Sequence, residues 1–89
     1  MKIEFDEKKN LENITKHGFS LNAFELLDFD LAIYKEDNRK TYSETRFNIF
    51  APINGRLCMA TFTIRRNKYR IISLRKANKR EVKKYEKEQ

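Results

Sequence analysis

Hydrophobic positions near the N-terminus predict a short strand followed by a helix. The first five residues are apolar at alternate positions, as in a strand. Asp6 suits a helix N-cap, because its carboxylate can accept the unpaired N–H groups of the first turn. The helix is predicted over residues 7–17, since Gly18 can adopt the left-handed conformation that ends many helices. Its buried stripe is expected to consist of Leu11 and Ile14.

A second helix is predicted directly after the first. Ser20 can cap its start, and Phe19 before the cap can pack on Phe24, four positions into the helix. The apolar face continues to about Asp28. The first third of the chain is therefore predicted to contain a strand followed by two helices.

The apolar period changes to two in the middle of the chain, which predicts strands. A polar loop is expected over residues 35–45, and Asn54-Gly55 is a strong signal for a type I′ hairpin turn. The strand after that turn is apolar on both faces except for its threonines, which indicates a central strand. The predicted strands are residues 31–34, a strand containing Phe47, Ile49 and Ala51, residues 57–64, and residues 69–74.

The end of the chain is predicted to be helical. Asn78 can cap this helix and Glu81 can complete a capping box, while Val82 and Tyr85 form an apolar pair at helical spacing. The predicted fold class is α+β. Residues 1–89 form one small domain, with two N-terminal helices packed on an antiparallel sheet of about four strands, plus a C-terminal helix.

Charge is distributed unevenly along the 89 residues and favours a polyanionic partner. The net charge is +7, made up of −3 over residues 1–30, +2 over residues 31–60 and +8 over residues 61–89. A strongly basic C-terminal third is typical of a face that binds nucleic acid. The single cysteine, Cys58, excludes an internal disulfide. With no signal peptide and no apolar run long enough for a membrane, a cytoplasmic protein is expected.

The chemistry that remains suits RNA cleavage without a metal ion or cofactor. Two glycines leave no glycine-rich phosphate loop, and one histidine leaves no ordinary histidine metal site. RNA cleavage needs a group for the 2′-OH proton, cations for the phosphoryl oxygens and help for the leaving 5′-oxygen. Arginine fits the second task, because its planar fork makes two hydrogen bonds to phosphate and stays charged.

The candidate catalytic residues come from the strands and from two helices. They are Glu44, Arg46, Arg70, Arg75, His17 and Tyr85. Arg70 and Arg75 differ in strand parity, so they can share one site only if the chain bends at the strand end. Glu44 is either a base or a partner of an arginine, His17 either catalytic or a helix cap, and Tyr85 either catalytic or a packing residue. The residues expected to bind RNA are Lys16, Arg65, Arg66, Lys68, Lys76, Lys79 and Arg80.

The sequence resembles the BrnT family of toxins, which are similar in fold to RelE-type ribonucleases. The resemblance begins at Ile3-Glu4-Phe5-Asp6 and reaches Tyr85, so it covers essentially the whole chain. Two segments carry most of it: Lys16-His17-Gly18, and Arg70-Ile71-Ile72-Ser73-Leu74-Arg75-Lys76-Ala77. Together, at this separation, they are quite specific.

The resemblance implies a bacterial ribonuclease that inhibits translation and is neutralised by a cognate antitoxin, BrnA. That antitoxin carries a ribbon-helix-helix domain, so DNA would be bound only through it. By motif, the functional arginines would be Arg46, Arg70 and Arg75, with Glu44 and Lys16-His17 nearby. Two alternatives stay open. The same basic face could belong to a non-catalytic module that binds nucleic acid or an acidic protein, or to an inactive partner in an autorepressor complex.

Overall fold

A five-stranded mixed sheet forms the centre of the computed structural model, which describes residues 1–39, 41 and 43–89. Its strands are β1 (Ile3–Glu4), β2 (Ile33–Glu36), β3 (Phe47–Ile53), β4 (Arg56–Arg65) and β5 (Lys68–Lys76). The helices are α1 (Glu7–His17), α2 (Lys79–Lys87) and two 3₁₀ helices, Leu21–Leu26 and Phe29–Leu31.

The strands lie in the order β1-β5-β4-β3-β2 across the sheet. Pairing is antiparallel except between β1 and β5, which run parallel. The α+β class is confirmed, but the prediction of about four antiparallel strands is wrong. The predicted N-terminal strand forms and adds a fifth strand at the edge of the sheet, parallel to β5, and no local pattern reveals that pairing.

Local signals place the N-terminal elements well. The Asp6 carboxylate accepts a hydrogen bond from the Lys9 N–H at 3.0 Å, and Gly18 ends α1 with φ at +78°. Ser20 caps the next element as predicted, but that element is a 3₁₀ helix ending at Leu26 rather than an α-helix reaching Asp28. An i→i+3 helix suits so short a connection between α1 and the sheet.

The predicted apolar stripe of α1 is wrong. Leu11 and Ile14 are 64% and 41% exposed, whereas Asn13 is buried. The Asn13 amide donates to the carbonyl oxygen of Leu74 at 2.8 Å, and its Oδ1 accepts from the Leu74 N–H at 3.1 Å. Because β1 pairs with β5 only at Tyr69 and Arg70, Asn13 serves the edge of β5 where no strand neighbour follows.

Two faces of the sheet have different roles. The first face carries Ile49, Ala60 and Leu74, which pair in register and are fully buried. The 3₁₀ helix Leu21–Leu26 covers this face, and its Phe24 side chain is fully buried. The residues of the core cluster are Leu21, Phe24, Leu27, Ile49, Ala51, Ile53, Cys58, Ala60, Phe62, Ile71 and Leu74.

Strand β4 is the central strand that the sequence predicts. Its residues from Leu57 to Thr63 are all buried. The Asn54-Gly55 turn before it has φ values of +49° and +79°, which confirms the type I′ signal. Strand β2 begins two residues later than predicted and takes the first two residues of the loop expected over 35–45. Two further residues of that loop, 40 and 42, lie outside the described part of the chain.

Helix α2 lies on the second face of the sheet, which carries Asn48, Thr61 and Ser73. Its predicted capping box is present: the Asn78 side chain accepts from the Glu81 N–H, and the Glu81 carboxylate accepts from the Asn78 N–H. Three side-chain contacts hold it to the body: Arg75 with Glu81, Lys35 with Glu88, and the Tyr85 hydroxyl donating to the Leu31 carbonyl oxygen.

Candidate active site

A bulge in β5 brings the candidate arginines to one face of the sheet. Phe62 pairs with Ile71, but the next residue towards the start of β4, Thr61, pairs with Ser73, so Ile72 is an extra residue without a partner. Side chains alternate along a strand, and one inserted residue reverses the parity beyond it. Arg70 and Arg75 therefore both lie on the second face, through a bulge inside the strand rather than a bend at its end.

One row of the second face is rich in arginine. Arg70 pairs in register with Thr63 of β4 and Glu4 of β1. On the other side of Thr63 lies the segment that leads into β3, because the Thr63 hydroxyl donates to the Thr45 carbonyl oxygen at 2.6 Å. Arg46 follows at once, and its carbonyl oxygen accepts from the Asp37 N–H at 2.8 Å. These pairings bring Arg46 and Arg70, 24 positions apart in the sequence, to one site.

A cleft of about 200 Å³ opens at this row, and we call it the arginine cleft. Its lining residues are Asp6, Lys9, Glu44, Arg46, Arg65, Arg70, Ile71 and Ile72. Four of these side chains are cationic and two are carboxylates, so the cleft carries net positive charge. A narrow site with this charge attracts anions, and arginine forks are matched to phosphate oxygens.

Both glutamates at the cleft are paired with arginines. Glu44 accepts from Arg65 Nη2 at 2.9 Å, and Glu4 accepts from Arg70 Nη1 at 2.8 Å. The hydrogen bond from Arg70 holds the pKa of Glu4 below its usual value, helped by the charges of Lys68 and Arg65. The pairs orient the guanidinium groups and leave most of their donors for a ligand.

Arg75 lies on the same face but does not line the arginine cleft. Both terminal nitrogens bind Glu81, each at 2.8 Å, in a bidentate ion pair with the first turn of α2. That hydrogen bonding raises the pKa of Arg75 and lowers the pKa of Glu81. The fork of Arg75 is thus committed to holding α2.

His17 and Tyr85 are not brought into the arginine cleft either. His17 ends α1 half-buried, and burial lowers its pKa, with further lowering from the charges of Lys16 and Arg75. The Tyr85 hydroxyl donates to the Leu31 carbonyl oxygen, and its ring lies in an apolar cavity beside Ile33 and Phe50.

Of the residues expected to bind RNA, Arg65 lines the arginine cleft. The others are exposed on several elements and do not line the cleft: Lys16, Arg66, Lys68, Lys76, Lys79 and Arg80. Arg66 lies in the β4–β5 turn with φ at +53°. This spread suits steering of a polyanion over a broad surface rather than a second defined site.

Sequence reasoning missed three residues of this site. The sequence predicts Asp6 only as a helix cap, places Lys9 within the predicted helix without a role, and places Glu4 in the first strand. Their place at the cleft depends on the parallel pairing of β1 with β5, across 66 positions. The +8 charge of the C-terminal third did not indicate that residues of the acidic N-terminal third would lie at the same site.

Two features that the described residues lack bear on the class of protein. No group of three or more His, Cys, Asp or Glu side chains there could hold a metal ion. None of the helices in the described ranges is long and apolar enough to cross a membrane.

A small basic α+β protein with an arginine-lined, positively charged cleft has the make-up of a protein that handles phosphates or nucleic acid. Residues 5–81 match the family model of the ribonuclease toxin BrnT of type II toxin–antitoxin systems. The match covers most of the chain, so the protein belongs to this family and the resemblance noted in the sequence is confirmed. No curated protein matches the sequence. Membership makes the protein a ribonuclease toxin that has an antitoxin partner.

Proposed function

We propose that the protein is a metal-independent endoribonuclease that binds the scissile phosphate of RNA in the arginine cleft. The observation that carries the proposal is the convergence of Arg46, Arg65 and Arg70 with Glu44 around one cleft. Family membership supports the reaction class. The cleft lining offers the three kinds of group that the reaction needs: cations for the phosphoryl oxygens, a carboxylate for the 2′-OH proton and the Lys9 ammonium for the leaving oxygen.

Arg46 and Arg70 are the proposed phosphate ligands. Negative charge grows on the phosphoryl oxygens in the transition state, and fixed cations stabilise it more strongly there than in the bound substrate. Arg70 is held by Glu4 through one nitrogen, Nη1, which fixes its direction. Its remaining N–H groups are the donors that we assign to the phosphate.

Glu44 is the proposed base, and Lys9 the proposed acid. Glu44 takes the proton of the 2′-OH, whose oxygen then attacks phosphorus, while the bond from phosphorus to the 5′-oxygen breaks. The Lys9 ammonium gives a proton to that oxygen as it leaves. The products are a 2′,3′-cyclic phosphate and a free 5′-OH. Both groups line the cleft. Glu44 is held by a hydrogen bond from Arg65, and Lys9 lies in the first turn of α1.

The carboxylates of the site favour a mechanism without a metal ion. Of the two carboxylates that line the cleft, Glu44 is paired with Arg65 and Asp6 accepts from the Lys9 N–H as the cap of α1, which lowers their capacity to bind a divalent cation. The net positive charge of the lining also repels such an ion. The arginines themselves neutralise the phosphate.

The other residues predicted for the site receive supporting roles in this proposal. Arg75 positions α2 through Glu81. Tyr85 attaches α2 to the Leu31 carbonyl oxygen and His17 ends α1, both outside the cleft. The exposed cations steer RNA towards the face, with the salt dependence that phosphate contacts impose.

The partner and the cellular effect are part of the same proposal. The antitoxin is expected to be BrnA-like, with a ribbon-helix-helix domain that makes the contacts to DNA. An acidic segment that folds on binding suits a toxin of net charge +7. Free of it, the toxin cuts RNA in the cytoplasm and inhibits translation.

The test is cleavage of purified RNA, and of RNA in a translating extract, with and without a metal chelator. Arg70→Gln should slow cleavage by about 100-fold or more, the usual loss when one transition-state donor is removed. Arg56→Gln, the same change at an exposed arginine outside the cleft, should stay within about threefold of the wild type.

Cleavage should persist in the chelator and leave 2′,3′-cyclic phosphate ends. Intact RNA in both settings, from wild-type protein shown to be folded by circular dichroism, would contradict the proposal and favour the non-catalytic binding module. That module would lose affinity to a similar degree on replacement of any of several cations.

A further inference from the structure

A second polar row crosses the second face of the sheet beside the arginine row. Asn48, Thr61 and Ser73 pair in register on β3, β4 and β5. Thr61 lies two residues from Thr63 of the arginine row, which places the two rows about 7 Å apart. The bulge at Ile72 is what turns Ser73 towards this face. A ribose with its base can bridge such a distance from a bound phosphate.

The amide of Asn48 has a fixed direction. The buried hydroxyl of Thr61 donates to Asn48 Oδ1 at 2.8 Å. Met59 Sδ lies 3.7 Å from the same hydroxyl, but a thioether is the weaker acceptor, so the amide oxygen takes the proton. The Nδ2 group of Asn48 donates to no group of the described residues, and the side chain is half-buried on the second face. Asn48 thus presents two N–H donors beside the arginine cleft.

We propose that Asn48, oriented by Thr61, forms a subsite for a guanine or uracil base next to the scissile phosphate. This inference rests on the proposed function for the position of the phosphate. Thr61 is a positioning residue, because it acts through the amide. Ser73, a half-buried neighbour in the row, supplies a hydroxyl that can adapt to either base.

The chemistry of the bases explains the choice. Guanine has an acceptor oxygen, O6, where adenine has an amino group, and uracil has O4 where cytosine has one. An asparagine reads adenine only when its oxygen accepts from that amino group while its nitrogen donates to N7. Because the buried Thr61 hydroxyl holds Oδ1 towards the sheet, Asn48 turns its Nδ2 donors to the base. These donors match O6 of guanine and O4 of uracil, whereas the 6-amino group of adenine and the 4-amino group of cytosine would meet them as donor against donor.

The test is equilibrium binding of short RNAs that cannot be cut. Fluorescein-labelled 2′-O-methyl hexamers of uridine, of alternating guanosine and uridine, and of adenosine are titrated with the protein at one salt concentration. The wild type should bind the first two about three- to tenfold more tightly than the adenosine hexamer, the usual effect of one or two hydrogen bonds. Equal affinities for all three would overturn the proposal.

Three variants assign the preference to residues. Asn48→Ala should lose affinity for the uridine and guanosine–uridine hexamers and keep its affinity for the adenosine hexamer, so that the preference disappears. Thr61→Val has nearly the same shape and frees Oδ1, so adenosine binding should strengthen. Asn22→Ala, at an exposed asparagine of the 3₁₀ helix on the first face, should change nothing. A wild-type pattern in Asn48→Ala or Thr61→Val would refute the assignment.

The binding test separates this inference from the proposed function. A base preference that depends on Asn48, in a protein that leaves RNA intact, would retain the subsite and reject the nuclease. Cleavage that depends on Arg70, with no base preference in binding, would do the reverse.

Discussion

Replacing Asn13 by alanine should destabilise the protein more than removing either apolar side chain from the same helix. The Asn13 amide is buried and makes three hydrogen bonds to backbone groups. It donates to the carbonyl oxygens of Phe19 and Leu74, at 2.9 and 2.8 Å, and accepts from the Leu74 N–H. Asn13→Ala leaves the N–H and C=O of Leu74 without partners at a fully buried position.

The expected cost follows from these contacts. Loss of the bond to Phe19 costs about 1 kcal/mol, and each of the two orphaned backbone groups of Leu74 costs about 1–2 kcal/mol, in the lower half of the usual range. The sum for Asn13→Ala is about 3–5 kcal/mol, a large part of the stability of a domain this small. Asn10→Ala should cost about 1–2 kcal/mol, because Asn10 Oδ1 accepts mainly one strong bond, from the Leu21 N–H at 2.7 Å.

Urea unfolding followed by circular dichroism measures these differences. With an m-value of about 1–1.5 kcal/mol/M, Asn13→Ala should lower the midpoint by about 2–5 M. Leu11→Ala is the matched control on the same helix, and its exposed side chain predicts a change within about 0.5 kcal/mol. A cost for Leu11→Ala as large as that for Asn13→Ala would show that α1 packs through its apolar stripe, and would refute the reasoning.

Two further predictions concern pH. The ion pair with Arg75 lowers the pKa of Glu81 below its usual 4.5, so its contribution to stability is complete above that value and is lost as the pH falls through the folded pKa. Urea titrations from about pH 6 to 3 should therefore show a smaller loss for Glu81→Gln than for the wild type, and equal losses would contradict the pair. Burial lowers the pKa of His17 below 6.5, so folding favours the neutral ring and stability falls as the pH drops through that range. His17→Gln should lose less stability than the wild type between about pH 7.5 and 5.5, and an unchanged slope would place His17 in solvent.

Local sequence signals predicted the starts and ends of elements. Asp6, Gly18 and Asn78 cap helices as expected, since a cap depends only on the few backbone groups beside it. The Asn54-Gly55 turn is equally local. The apolar period of β4 predicted its central position, because a strand covered on both faces has few polar side chains.

Contacts between distant segments could not be predicted in this way. Leu11 and Ile14 have the spacing of a buried stripe, but α1 lies against the edge of β5, where backbone groups need an amide more than an apolar side chain. The parallel pairing of β1 with β5 has no local signature either. That pairing brings Glu4 to Arg70, so the sequence alone could not predict that the N-terminal segment contributes to the site.

The bulge at Ile72 decides what β5 contributes to the site. In an unbroken strand Arg70 and Leu74 would share a face, so that burying Leu74 in the core would bury the Arg70 guanidinium with it. The bulge resolves the conflict: Ile71 and Leu74, three positions apart, are both buried on the first face. Arg70 and Ser73 then share the second face. The arginine cleft and the polar row, the two features to which we assign RNA binding, therefore depend on the same inserted residue. In the sequence, this bulge is indicated by a spacing of three between the buried positions of β5.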